Sequence, residues 1–270
     1  MAYRGSKQLV IIDSSRRQSG TSANFTIDIK TVHPRFNSVA VFNFSCPKSW
    51  YSVPEGYNTF ELQEDIFSAI ITVPVGNYSR RSFASTIQTL LNSESPKGAT
   101  YTVGYDTNPE TVDTGKLTFT VSDNLGLQPS IIMPDSLHLP SCFGFDRSSV
   151  NTFENDTLES TNIVNYQPIS HLLLKSSLVK DGEEGVLQEL IVNDDPYGGH
   201  ITFQNTDLHM TSKTFTHEAN HIYSFSLTTL EDEQIDLNGQ DVTFSLIFYE
   251  QDDINEVQRK ALAIQTIKSL

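Results

Sequence analysis

The chain has 270 residues, a formal net charge of −15 at pH 7 and 37% hydrophobic residues. This length is enough for one large domain or two smaller ones. The acidic balance disfavours nucleic-acid binding by most of the surface, and no apolar run approaches the ~18 residues that a membrane-spanning helix needs.

The charge is unevenly distributed along the chain. Residues 1–50 contain seven basic and two acidic side chains, a formal charge of +5, whereas the remaining 220 residues contain eleven basic and 31 acidic ones, a charge of −20. We expect these opposite charges to meet between subunits or domains. Only the N-terminal region has the charge to contact nucleic acid.

Short strands separated by polar turns dominate the sequence. Phe25, Ile27 and Ile29 alternate with Thr26 and Asp28, the period of two that is typical of a half-buried strand. Strands are predicted over residues 8–13, 23–29, 38–46, 58–63, 67–74, 161–166, 171–180, 186–193, 200–205, 221–229 and 241–249. Their number and turn-rich spacing predict an all-β protein built as a sandwich or jelly roll.

One segment has a different period. Ser79 is placed to cap a helix that runs to about Leu91, with Phe83, Ile87 and Leu90 at helical spacing. A hairpin of residues 101–105 and 116–121 follows. These patterns predict three parts: a jelly-roll domain of residues 1–75 plus 160–249, an inserted α+β subdomain of residues 76–159, and a C-terminal tail of residues 250–270.

The tail carries Ile254, Val257, Ala261 and Ile264 three or four residues apart, the spacing of a marginal amphipathic helix. Such a segment either docks on a partner or remains disordered.

The two cysteines indicate a reducing compartment. Cys46 and Cys142 lie among apolar residues and are too few for a disulfide framework, so we expect buried thiols. The first residues lack the apolar core of a secretory leader, which gives the same expectation.

A zinc-protease pattern, His-Glu-x-x-His, occurs at His217 and His221. Zinc chemistry needs both histidines on one face of a helix, one turn apart. The flanking residues are β-prone, so we interpret residues 218–220 as a turn between strands with both histidines exposed. No other metal, cofactor or catalytic pattern is present, and the sequence predicts a protein without enzymatic activity.

The only tryptophan, Trp50, lies beside Tyr51 after a predicted strand. An aromatic pair in this position can fill the core, anchor a subunit interface or stack on a sugar. The sequence leaves these three alternatives open.

Several segments together resemble the vertex (penton) minor capsid proteins of virophages, related polinton-like viruses and large DNA viruses. The matching segments, in order along the chain, are residues 12–16, 20–26, 44–51, 71–78, 115–119, 143–145, 161–165 and 237–244.

The resemblance implies a single jelly roll with an inserted domain, five copies of which close a ring at each vertex of an icosahedral shell in the virion. Assembly in the host cytoplasm or a virus factory is expected. The implied partner is a trimeric, double-jelly-roll major capsid protein, and no catalytic residue is implied.

A ring of five copies needs two different patches that meet. We expect Arg16, Arg17, Arg35, Trp50 and Tyr51 to contribute to this subunit interface. The alternative function is a host-attachment or carbohydrate-binding β-sandwich, for which Trp50 with Tyr51, and Tyr197 beside two glycines, are the candidate aromatic platforms.

Overall fold

Polar turns divide the chain into many short strands. The computed structural model describes residues 7–30, 32–105, 113–122, 126, 128–179, 185–192 and 197–250. The elements in chain order are β1 (Lys7–Asp13), β2 (Ser19–Gly20), β3 (Asn24–Asp28), β4 (Ser38–Pro47), β5 (Thr59–Glu64), β6 (Phe67–Thr72), α1 (Arg80–Glu94), β7 (Thr100–Gly104), β8 (Thr118–Ser122), β9 (Ser130–Ile132), α2 (His138–Phe143), β10 (Val150–Thr152), β11 (Thr157–Glu159), β12 (His171–Ser176), β13 (Val186–Ile191), β14 (His200–Gln204), α3 (Leu208–Thr211), β15 (Lys213–Thr214), β16 (Ile222–Thr228) and β17 (Thr243–Tyr249).

The first compact unit is formed by the described residues of 1–50 and 169–270. Its two antiparallel sheets have the strand orders β1-β17-β4-β14 and β13-β12-β16-β3-β2, and the short strand β15 also pairs with β4. If the two-residue strands are set aside and the other eight are numbered along the chain, the sheets have the orders 1-8-3-6 and 2-7-4-5. This is the order of a jelly roll, which confirms the predicted fold class.

Aromatic side chains fill the space between these two sheets. Phe225 on β16 lies edge-on to Phe244 on β17, with ring centroids 5.2 Å apart. Phe25 stacks on Phe225 within one sheet, and Phe44 stacks on Phe244 within the other. All four side chains are buried, as the alternating pattern of their strands requires.

The second compact unit comprises Tyr51–Pro168 and contains the inserted helix and hairpin. It has the sheets β10-β9-β5-β6 and β11-β8-β7, together with α1 and α2. Phe143 on α2 is central to its core, with ring contacts to Phe60, Phe83 and Phe119 at 5.0, 5.1 and 5.9 Å.

The second unit is larger than the predicted insertion of residues 76–159. Strands β5 and β6, which were expected in the jelly roll, pair with each other in this unit, and β5 also pairs with β9. Their alternating pattern predicted strands correctly, but such a pattern carries no information about which sheet a strand joins.

Helix α1 begins at the expected cap and runs one turn longer than predicted. The Ser79 hydroxyl accepts from the Ser82 backbone N–H, and the Ser82 hydroxyl accepts from the Ser79 N–H, a reciprocal capping box. Phe83, Ile87 and Leu91 are buried along one face. No helix in the described part of the chain is long and apolar enough to cross a membrane.

The predicted strand at residues 161–166 is wrong. The backbone N–H groups of Asn162 and Asn165 donate to carbonyls at the end of α2, whereas that of Val164 donates to Gly115, so no continuous ladder forms. Asn162 donates to the carbonyl of Gly144, which ends α2 in the left-handed conformation with φ +74°. A side chain at Gly144 would overlap the carbonyl oxygen of Asn162.

A carboxylate is buried at the end of β5 in the second unit. Glu64 is fully buried and accepts hydrogen bonds from the Ser95 hydroxyl, the Lys97 backbone N–H and the Tyr101 hydroxyl at 2.7, 2.7 and 2.6 Å. It therefore joins β5 to the segment after α1 and to β7, and its lone pairs are satisfied by three donors.

Candidate subunit interface

Of the predicted interface residues, Arg17 is engaged within its own unit. Its Nη1 donates to the Ser14 carbonyl at 2.9 Å and lies 3.3 Å from Asp241 Oδ1, while its Nε donates to the Gly20 carbonyl at 3.2 Å. The guanidinium thus links the 3-10 turn Ser14–Arg16 to β2 and to the segment before β17. No sequence pattern indicates this long-range pairing with Asp241.

Arg16 and Arg35 are exposed on the jelly-roll unit. Arg16 ends the 3-10 turn, which Asp13 caps by accepting from the Ser15 N–H at 2.9 Å. Hydrogen bonds from Ser15 hold the pKa of Asp13 below its usual value. Neither Arg16 nor Arg35 forms an ion pair with another residue of the described ranges. Both guanidinium groups are accessible to a partner.

The two aromatic residues after β4 differ in how deeply they are buried. Trp50 is only 6% exposed, whereas Tyr51 is half-buried. The chain just before Trp50 is fixed by Ser49, whose hydroxyl donates to the Leu237 carbonyl at 2.7 Å and whose carbonyl accepts from the Asn238 amide at 2.6 Å. Of the three alternatives left open for Trp50, the structure favours a core residue.

The second aromatic candidate for a glycan platform, Tyr197, faces a buried lysine. The Lys48 ammonium lies 6.0 Å from the centre of the Tyr197 ring, and Lys48 is 1% exposed. Backbone hydrogen bonds join Lys48 to Gly198 and Gly199. Lys48 therefore occupies one face of the half-buried Tyr197 ring, and Trp50 is too buried to offer the open aromatic face that sugar stacking requires.

The His-Glu-x-x-His segment is a turn, as predicted. His221 has a left-handed backbone with φ +57°, and its N–H donates to the Glu218 carbonyl at 3.1 Å. His217 is exposed and donates through Nε2 to the Phe36 carbonyl at 2.9 Å. Within the described ranges no group of three or more His, Cys, Asp or Glu side chains is arranged to hold a metal ion.

The cysteines are buried thiols, as predicted. Cys46 on β4 and Cys142 on α2 are both fully buried, and neither forms a disulfide. Burial raises the pKa of each thiol to about 12, because the thiolate would lose its hydration. These groups are protonated at neutral pH and are not poised as nucleophiles.

An open cavity in the second unit contains a neutralised ion pair. Arg80 at the start of α1 binds both carboxylate oxygens of Asp113, and its guanidinium lies 4.6 Å from the Tyr105 ring centre. The Arg80 hydrogen bond lowers the pKa of Asp113 to about 2. Because each charge is neutralised by the other, we interpret this ion pair as a structural link between α1 and the segment before β8.

Several apolar side chains are exposed at the two edges of one sheet in the second unit, which the sequence pattern did not predict. Ile66, Phe67 and Ile70 in the β5–β6 hairpin are 81%, 51% and 76% exposed, and Val150 on β10 is 62% exposed. An isoleucine in the two-residue turn of a hairpin is a detectable signal, since polar residues and glycine usually occupy such positions.

Comparison with known proteins supports the fold. No described protein family and no curated protein sequence matches the chain. Among solved structures, the crystal structure of the selenomethionine-labelled mavirus penton protein is similar, with a TM-score of 0.52 and 12% sequence identity over 92% of this chain and 100% of that chain. The resemblance noted in the sequence is thereby confirmed at the level of the fold.

Proposed function

We propose that this chain is the vertex protein of an icosahedral double-stranded DNA virus, a virophage or a related virus, with five copies closing a ring at each vertex. The observation that carries the proposal is a jelly roll with an inserted unit, a fold shared with the mavirus penton protein over 92% of the chain. The role is structural and requires no catalytic group or cofactor.

The partners follow from this role. The chain binds further copies of itself and the surrounding major capsid protein, a trimer of double jelly rolls, and its location is the virion after assembly in the host cytoplasm or a virus factory. The tail of residues 250–270, of which 251–270 lie outside the described residues, is a candidate arm toward the neighbouring capsomers. Nucleic-acid contact is restricted to the basic N-terminal region.

Electrostatics supply one route to ring closure. A cyclic ring of identical copies needs a heterologous interface, in which two different patches meet. The first 50 residues carry a charge of +5 and the rest of the chain −20. Arg16 and Arg35 therefore face acidic loops of a neighbouring copy, whereas Arg17 stabilises its own unit.

Light scattering of the purified full-length chain across salt and protein concentration tests this proposal. We expect a species of five times 30.2 kDa that dissociates as salt increases, because screening weakens attraction between exposed charges. Arg16→Glu and Arg35→Glu should reduce assembly without changing the melting temperature. Arg17→Glu should lower the melting temperature slightly, since an exposed ion pair contributes about 0–1 kcal/mol.

Arg81→Glu is the matched control, because Arg81 is also exposed but lies on α1 of the second unit. Equal assembly of all four variants and the wild type at low salt would contradict the electrostatic route. A chain that stays monomeric alone and with the major capsid protein would contradict the proposed function itself.

A further inference from the structure

Strand β6 is an unprotected sheet edge. It is the outer strand of the sheet β10-β9-β5-β6, and its six residues, Phe67–Thr72, include no charged side chain and no proline. Apart from the ladder with β5, no described residue forms a hydrogen bond with its backbone. Soluble proteins usually protect an exposed edge with charges, proline, a bulge or a covering element, because a bare edge pairs with other chains.

Three other edges of the same molecule, those of β7, β13 and β1, are protected. The free edge of β7 is covered by α1, where Gln88 accepts from the Val103 N–H and the Asn92 amide bonds both backbone groups of Tyr101. The edge strand β13 carries Glu189, and β1 carries Lys7 and Asp13 at its two ends. The bare edge of β6 is therefore not a general property of this fold.

The opposite edge of the same sheet has similar chemistry. Strand β10 has only the uncharged residues Val150, Asn151 and Thr152. Register places Ile70, Glu61, Ile132 and Val150 in one row across the four strands, on one face of the sheet. The row thus ends in an exposed apolar side chain at each edge, 76% exposed at Ile70 and 62% at Val150.

The hairpin that presents β6 is held in place. The Lys97 ammonium lies 2.9 Å from Asp65 Oδ2 in the turn and 5.4 Å from the Phe67 ring centre. Glu64, at the base of the turn, is fixed by its three hydrogen bonds. A rigid edge loses little conformational entropy when a partner strand binds, which favours association.

We infer that the β6 edge of one copy pairs with the β10 edge of the next copy, so that Ile70 lies against Val150 of the neighbouring copy. This inference rests on the proposed function. A second copy is the occupant because a cyclic ring needs two different patches, and one sheet supplies both as its opposite edges. The pairing joins free backbone groups and brings the exposed apolar side chains at the two ends of the row into contact.

The test measures assembly of full-length Ile70→Lys and Val150→Lys by light scattering. A charge buried without a partner at the junction should raise the protein concentration needed for assembly by about tenfold or more. Ile191→Lys is the matched control, because Ile191 is a 66% exposed isoleucine on the edge strand β13. Combining Ile70→Lys with Val150→Glu should restore assembly at low salt, because opposite charges then meet across the junction.

A crosslinking experiment gives an independent measurement. Ser68 and Thr152 end a second row that crosses the sheet through Gln63 and Ser130. Oxidation of the variant Ser68→Cys with Thr152→Cys should give a ladder of covalent multimers ending at five. The native thiols do not compete, since Cys46 and Cys142 are buried.

The outcomes separate the two proposals. A wild-type pentamer that tolerates Ile70→Lys and Val150→Lys and gives no ladder overturns the edge pairing and leaves the proposed function intact. A wild-type chain that remains monomeric, alone and with major capsid protein, overturns the proposed function and with it the edge pairing.

Discussion

At the scale of single residues, Glu64 shows how a charged group can hold an irregular region together. Burying a carboxylate is costly unless hydrogen bonds replace its hydration. Here three donors from the segment after α1 and from β7 do so. The residue therefore specifies the position of the β5–β6 hairpin, on which the proposed edge pairing depends.

Glu64→Gln is expected to destabilise the protein by about 1–3 kcal/mol. The glutamine side chain keeps one acceptor oxygen, but its NH2 group replaces the other. That NH2 group would face a buried donor, so one hydrogen bond is replaced by repulsion between two donors. Thermal unfolding measures the change. Glu61→Gln on the same strand is the control, since Glu61 is half-exposed; equal melting temperatures for the two variants would argue against this role of Glu64.

At the scale of elements, local patterns explain most strands and one helix. The alternation of Phe25, Ile27 and Ile29 gives β3, and Ser79 with the apolar spacing after it gives α1. The strand assigned to residues 161–166 was wrong because Asn162 and Asn165 donate to the end of α2 whereas Val164 donates to Gly115, and both acceptor segments are distant in sequence. The unit to which β5 and β6 belong also depends on a distant strand, β9.

Gly144 tests the connection between α2 and the segment around Asn162. Gly144→Ala should lower the free energy of unfolding by more than about 2 kcal/mol. An alanine in the left-handed conformation costs roughly 1–2 kcal/mol, and its Cβ would in addition overlap the Asn162 carbonyl. Gly98→Ala is the matched control: Gly98 has φ +72° with open space around it, so the backbone cost alone applies. Urea unfolding of both variants gives the difference, and similar losses would contradict the steric account.

At the scale of the whole molecule, the fold was more predictable from the sequence than the exposure of the proposed interface residues. Turn-rich spacing predicted the all-β class, and the order of short resembling segments predicted the vertex-protein fold. Among the five interface candidates, Arg16 and Arg35 are exposed and Tyr51 is half-buried. Arg17 forms an ion pair within its own unit, and Trp50 is buried. Charge and residue type do not encode exposure, and the edge position of β6 follows only from sheet order.

The central claim, that the chain forms capsid vertices, is tested most directly by electron cryomicroscopy of particles assembled from this chain and its major capsid protein. The account predicts five copies around each fivefold axis, each contributing a jelly roll and an inserted unit, and open vertices in particles assembled without the chain. Closed vertices in its absence, or density for the chain away from the fivefold axes, would contradict the account.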